Sequence, residues 1–252
     1  MRHFLVSAAP VCAVAFLAGC ATPPPEPPPP PPIYMTSGAS SAEITANVVG
    51  TAANEGDRPM LDAFVLAVRN EMQSRGYWLD ADDPDVLVEL GVSSEEIDRS
   101  VKNVTLVGSF SIKATMPVRH NLTIGSETFK VQSEQSLGEE AARADLVRLA
   151  MPRAKRWIGS NAGPMDTGLA ATIVHIVGGD LDPSEDSRVL ADFVRAAHDT
   201  DGTLQVRELQ RDADARSYKY RVVYAKGKFP PPVGFLGRVL AAHPELPLTP
   251  VP

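Results

Sequence analysis

Cysteine is nearly absent from this 252-residue chain: there are two, Cys12 and Cys20, and none follows. The 232 residues after Cys20 therefore hold no disulfide, no thiol nucleophile and no cysteine-bound metal. No G-x-S-x-G, Walker loop or G-x-G-x-x-G occurs, so the signatures of nucleophilic hydrolases and nucleotide binding are missing. Cations are also in deficit, 24 Lys and Arg against 31 Asp and Glu, for a formal charge of −7. That excludes the basic field of a nucleic-acid binder, and none is expected as a partner. Apart from Phe4–Leu17, no apolar run approaches the 20 or so residues that span a bilayer.

What is present begins with that run. Arg2 and His3 precede it and small residues follow it, the pattern of a secretory signal. Leu17-Ala18-Gly19-Cys20 resembles the lipobox of bacterial lipoproteins at all four positions. The resemblance implies cleavage between Gly19 and Cys20, a diacylglycerol on the Cys20 sulfur and an N-acyl chain such as palmitate. Two or three chains anchor a protein stably, where one is marginal. Ordinary signal cleavage near Ala18–Ala21, releasing a soluble protein, is the other reading of the same residues. Ala21, where the family's inner-membrane proteins carry aspartate, implies the outer membrane, with the body facing the periplasm. Loss of residues 1–19 removes Arg2 alone among the charges and takes the formal charge to −8. The membrane contact is then expected through the Cys20 lipid rather than through charge.

Residues 23–32 read PPPEPPPPPP. Proline fixes φ and lacks an N–H, so the run takes polyproline II and extends about 30 Å. It reads as a spacer, and 20–42 as a whole as anchor and tether; a ligand for a proline-binding domain is the sharper alternative.

Two α/β modules are expected next, at 43–160 and 168–243, with a disordered tail at 244–252. In the first, Leu61, Phe64, Val65, Val68 and Met72 fall at helical spacing after Asp57-Arg58-Pro59, with Gly76 as the stop. Val86–Val92 reads as a strand buried on both faces, and Val104–Met116 as one half buried. Ser136-x-x-Glu139 reads as a capping box before a helix lined by Ala142, Leu146 and Ala150. The second module reads β-α-β-β-α: Leu169–Val177, a helix with Val189, Leu190 and Phe193, strands at 204–206 and 218–224, and a last helix at Phe235–Leu240. The fold class is α+β, two β-α-β-β-α modules with mainly antiparallel sheet and helices on one face. The second module lacks a visible closing strand, so one sheet shared by both modules is expected, with a strand added by a partner or a blocked edge as the alternatives. Met72…Arg75-Gly76-Tyr77 followed by Asp85-Val86-Leu87-Val88 is similar to small α/β domains of bacterial outer-membrane lipoproteins, many without assigned function and some active in envelope assembly.

No catalytic set emerges, and no cofactor or metal is expected. His120, His175, His198 and His243 lie on different elements without metal-ligand spacing. The acidic groups Asp80/Asp82/Asp83/Asp85 and Asp180/Asp182/Asp186 fail the EF-hand test at positions 6 and 12. Tyr218, Tyr220 and Tyr224 alternate as one face of a packed sheet would, or as a sugar or peptide platform. The function expected is non-enzymatic interaction with an envelope protein, or a role in envelope assembly. Two readings stay beside it: a hydrolase or carbohydrate-acting enzyme using two carboxylates about 5–10 Å apart, and a peptidoglycan-binding tether. No residue pattern fixes an oligomeric state.

Overall fold

The computed structural model describes residues 35–79, 82–101, 103–162, 167–179, 183–229 and 234–250, all within the unit Pro32–Pro252. Cys20, Gly19 and the proline run lie outside them. Ten strands and four helices among these residues form two five-stranded sheets, an α+β fold.

The first module is built on β2 (Thr45–Ala52), helix α1 (Arg58–Ser74), β3 (Trp78–Leu79), β4 (Val86–Arg99), β5 (Val104–Met116), β6 (Leu122–Gln132) and helix α2 (Glu139–Asn161). Its sheet runs β3-β2-β4-β5-β6. Strand β2 pairs in parallel with both β3 and β4, because α1 carries the chain back to the starting end of β2; β4, β5 and β6 are antiparallel. The second sheet runs β10-β1-β7-β9-β8, from β1 (Met35–Ala42), β7 (Leu169–Val177), β8 (Thr203–Asp212), β9 (Ser217–Ala225) and β10 (Leu248–Pro250). Helices α3 (Pro183–Asp199) and α4 (Gly234–Ala242) belong to it, and β10 joins β1 in parallel. Both sheets are thus mixed rather than mainly antiparallel.

Four further expectations change. Residues 35–42, assigned above to the tether, are a central strand: β1 sits between β7 and β10, with seven residue pairs to β7. The tail is not wholly irregular, since Leu248–Pro250 forms β10. The closing strands of the second module come from the two ends of the chain, so each module keeps its own sheet. Strand β4 is buried on one face only: Val86, Val88, Leu90 and Val92 are buried while Glu89 is exposed.

The helix faces follow the sequence pattern. Leu61, Phe64, Val68 and Met72 are buried on α1, and Ala142, Leu146, Ala150 and Ala154 on α2. They close over β5, where Phe110 meets Phe64 edge-on at 5.0 Å and stacks on Phe129 at 5.8 Å. A second core lies between the other sheet and α3 and α4, around Val174, Ile176, Phe193, Tyr218, Tyr220 and Val239. Gly76, at φ +86°, ends α1 in a Schellman turn: Tyr77 N–H bonds Met72 C=O and Gly76 N–H bonds Gln73 C=O. The capping box is not made. Gly138 occupies the N-cap of α2, while Ser136 pairs with Val104 as a β-bridge.

One buried ion pair joins the two sheets. Arg221, on β9, donates through both terminal nitrogens to the Asp85 carboxylate (Nη1 to Oδ1, 2.9 Å) just before β4, and through Nη2 to Glu43 C=O at 2.8 Å. Asp85 also accepts from the Thr45 N–H at 2.7 Å and hydroxyl at 3.0 Å. Asp85 is wholly buried and the Arg221 side chain is 9% exposed. Removing one partner strands the other charge in the interior. Arg221→Met is therefore expected to cost about 3–5 kcal/mol in urea unfolding, and Arg221→Met/Asp85→Leu less than Arg221→Met alone. Deleting residues 1–34 should leave the unfolding midpoint unchanged; deleting 1–42 should lower it, because β7 loses β1. Equal midpoints would disprove the role of β1.

Candidate functional site

The sequence candidates divide into those the fold uses as braces and those it leaves at the surface. In the first acidic group, Asp80 is outside the described residues. Asp83 accepts from Gln205 Nε2 at 2.9 Å and pairs with Arg207 at 3.5 Å, and Asp85 holds Arg221. This turn is a clamp between the sheets. In the second group, Asp180 and Asp182 are outside the described residues. Asp186, buried in the first turn of α3, accepts from Arg216 Nε at 2.9 Å and from the Tyr218 hydroxyl at 2.8 Å. Arg216 also donates to Gly179 C=O at 2.8 Å, tying the strand-to-helix turn to β9. Among the described residues, no three His, Cys, Asp or Glu side chains come together to hold a metal.

The histidines stay apart. His175 Nε2 lies 2.8 Å from the Ser217 hydroxyl across β7 and β9, and His243 Nδ1 lies 3.2 Å from Glu245. His120 is a turn residue at φ 55°. The tyrosines form a packed face: Tyr218 and Tyr220 are buried, Phe193 leans on Tyr220 at 5.5 Å, and Tyr224 stacks on Phe235. Burial, reinforced by the Glu208 carboxylate, pushes the Tyr220 phenol up to about 12. The hydrogen bond from Arg211 holds Glu208 below the usual carboxylate range.

A cleft of about 450 Å³ lies between α3 and residues 243–247, lined by Arg188, Asp192, Arg195, His243 and Glu245, and a larger one of about 610 Å³ lies beside it, past Asp201, Lys228 and Arg238. The charges of the first are mostly paired side by side: Arg195 with Asp192, Arg188 with Glu185, His243 with Glu245. A groove of about 400 Å³ runs between α1 and α2, past Pro59, Met60, Ala63, Arg143 and Val147.

The sequence gives little warning of the end of the first sheet where β4 turns into β5. Asp57 stands at the N-cap of α1 but its side chain makes no cap bond. Its buried carboxylate instead accepts from the Ser94 N–H at 3.1 Å and from the Ser94 hydroxyl, with Arg143 Nε 3.7 Å away. Arg99 donates to Glu96 at 2.9 Å and reaches across to Glu139. Ile97 is the extra residue where the β4–β5 register shifts, and it is exposed. Val101, in the turn, is fully exposed, and Leu137, beside the Ser136–Val104 bridge, is 78% exposed. The one signal in the sequence is an aliphatic residue standing alone in each of three polar stretches, 95–99, 100–103 and 133–140.

No family model matches the chain, and no curated protein does. Several solved structures resemble part of it. A minor lipoprotein from Acinetobacter baumannii is 12% identical over 47% of this chain and 95% of its own, with a TM-score of 0.31. A DUF330 protein from Xanthomonas campestris is 12% identical over 50% of this chain and 87% of its own, at 0.38. A lipoprotein from Neisseria meningitidis is 9% identical over 46% and 99%, at 0.33. Bacterial lipoproteins are thus among the structures this chain is similar to.

The raised Tyr220 pKa has a consequence in alkali. Its contribution to stability is full below pH 10, the ordinary value, and is lost as pH rises towards about 12, because the unfolded chain ionises first. The thermal midpoint should fall over that window, and Tyr220→Phe should flatten the fall. An unchanged slope in Tyr220→Phe would contradict the assignment.

Proposed function

We propose that this chain is a lipoprotein held by acyl chains on Cys20 in the periplasmic leaflet of the outer membrane, and that its body acts by binding an envelope protein rather than by catalysis. The observation that carries the reading is the order of the first 42 residues: apolar leader, Leu17-Ala18-Gly19-Cys20, proline run, then a strand paired on both sides within a sheet. An anchor joined to a stiff spacer is useful when the spacer ends in a firmly held element, and β1 is such an element. The binding role is supported by the employment of the acids. Asp57, Asp85 and Asp186 are buried and bonded to structural partners, so they serve the fold instead of standing open to a substrate.

Cys20→Ala tests the anchor. The wild-type chain should sediment with outer membranes and incorporate labelled palmitate. The variant should do neither and should appear in the soluble periplasmic fraction. Continued sedimentation of Cys20→Ala with membranes would overturn the reading.

A further inference from the structure

The strand directions give the body two ends. The chain enters at Met35, and β1 runs from there to the junction at Glu43–Thr45, where Arg221 and Asp85 meet. Strands β2 and β4 both start at that junction and run away from it in parallel. The 14 residues of β4 carry the β4–β5 turn up to about 45 Å beyond Asp85. The turn therefore stands at the end of the first sheet away from the junction, and Met35 stands at the end of β1 away from the same junction.

At that distal end, Ile97, Val101 and Leu137 present aliphatic side chains to solvent, 51%, 101% and 78% exposed. They come from three separate segments. Those segments are fixed to one another: Val104 pairs with Arg99 on one side and with Ser136 on the other, and Arg99 ties Glu96 to Glu139. A single exposed aliphatic residue is ordinary, but several at one end with a polar rim mark a contact surface. The rim is acidic. Glu95, Asp98 and Glu140 are exposed and form no ion pair among the described residues, and Arg99 is taken up by Glu96 and Glu139; Lys102 lies outside the described residues, and with it the stretches 95–103 and 133–140 still carry six acids against two cations.

We propose that this end is the docking surface for an envelope protein, through a segment that carries Lys or Arg beside apolar side chains. The proposal rests on the reading of the chain as an envelope protein. Charge chooses this occupant. An anionic bilayer and the same acidic end of a second copy are both repelled by the rim, whereas a basic segment neutralises it as its apolar side chains cover Ile97, Val101 and Leu137.

The test uses the full chain in cells with a photo-crosslinking phenylalanine derivative in place of Val101, whose complete exposure makes it a safe position. The same probe at Asp214, in the β8–β9 turn, is the control. Irradiation should join position 101, and not 214, to an envelope protein at a peptide richer in Lys and Arg than in Asp and Glu. Glu95→Lys/Asp98→Lys should cut that adduct by about tenfold or more, through like-charge repulsion. An adduct with lipid, an adduct with a second copy, no adduct, or one indifferent to the charge reversal would each overturn the proposal. Fractionating the same cells separates the two readings. A position-101 adduct on a soluble chain would refute the anchor and keep the docking surface. A membrane-bound chain without the adduct would refute the docking surface alone.

Discussion

A guanidinium and a carboxylate buried between two sheets decide how this molecule holds together. Arg221 on β9 closes on Asp85 at the head of β4, and also on the Glu43 carbonyl in the link from β1 to β2. Those three groups come from the two sheets and from the segment that passes between them. A planar fork suits the task, because arginine offers parallel donors in fixed geometry, which a lysine does not. The Thr45 N–H and hydroxyl take up the remaining capacity of Asp85, so the pair has no unmet bond to draw in water. Desolvation offsets much of its attraction, so what the pair adds is chiefly the cost of breaking it: parting the sheets would leave a buried charge without its partner. Apolar burial then follows the same placement. Leu169, Ala171 and Val223 of the second sheet join the core of the first.

The sequence showed best the elements whose faces are apolar throughout. The α1 stripe and the alternation of β5 survive over most of their length: Leu61, Phe64, Val68 and Met72, and likewise Leu106, Phe110, Ile112 and Ala114, are buried, while Val65 is half-buried and Thr105 and Thr115 at the ends of β5 are buried as well. Strand β1 was illegible for a physical reason. Residues 35–42 read Met-Thr-Ser-Gly-Ala-Ser-Ser-Ala, and only Met35 and Ser37 are buried side chains among those described. What holds them in place is the row of backbone groups on β7, and side-chain pattern carries no trace of that. Strand β10 is too short, and contains a proline. The parallel pairing of β2 with β4 depends on where α1 returns the chain, a long-range fact. The capping box failed because a competing bond won: Glu139 is engaged by Arg99 and Arg143, and Ser136 by the backbone of Val104.

The candidate sites divide the other way. The proposed anchor at Cys20 rests on sequence alone, because a lipobox is a local pattern. The distal surface is illegible there, because it assembles residues 40 positions apart. Ile97 is turned out only by the β4–β5 register shift, which no local pattern announces. Glu95, Asp98 and Glu140 look like ordinary solvated charges; their meaning comes from sharing one rim with exposed aliphatic side chains.

Anchor and docking surface, taken together, make a statement about distance. On the proposed reading, residues 23–32 are the spacer ahead of β1, and strand β4 extends up to about 45 Å past the junction. The two sheets of the body are locked by one buried pair, so the place of the β4–β5 turn relative to β1 is held by rigid parts instead of by loops. The acidic rim works with that stiffness, because carboxylates near an anionic bilayer are repelled from it over about a Debye length, 8 Å at physiological ionic strength. On the proposed reading, charge thus keeps Ile97, Val101 and Leu137 off an anionic bilayer and leaves them to a basic partner.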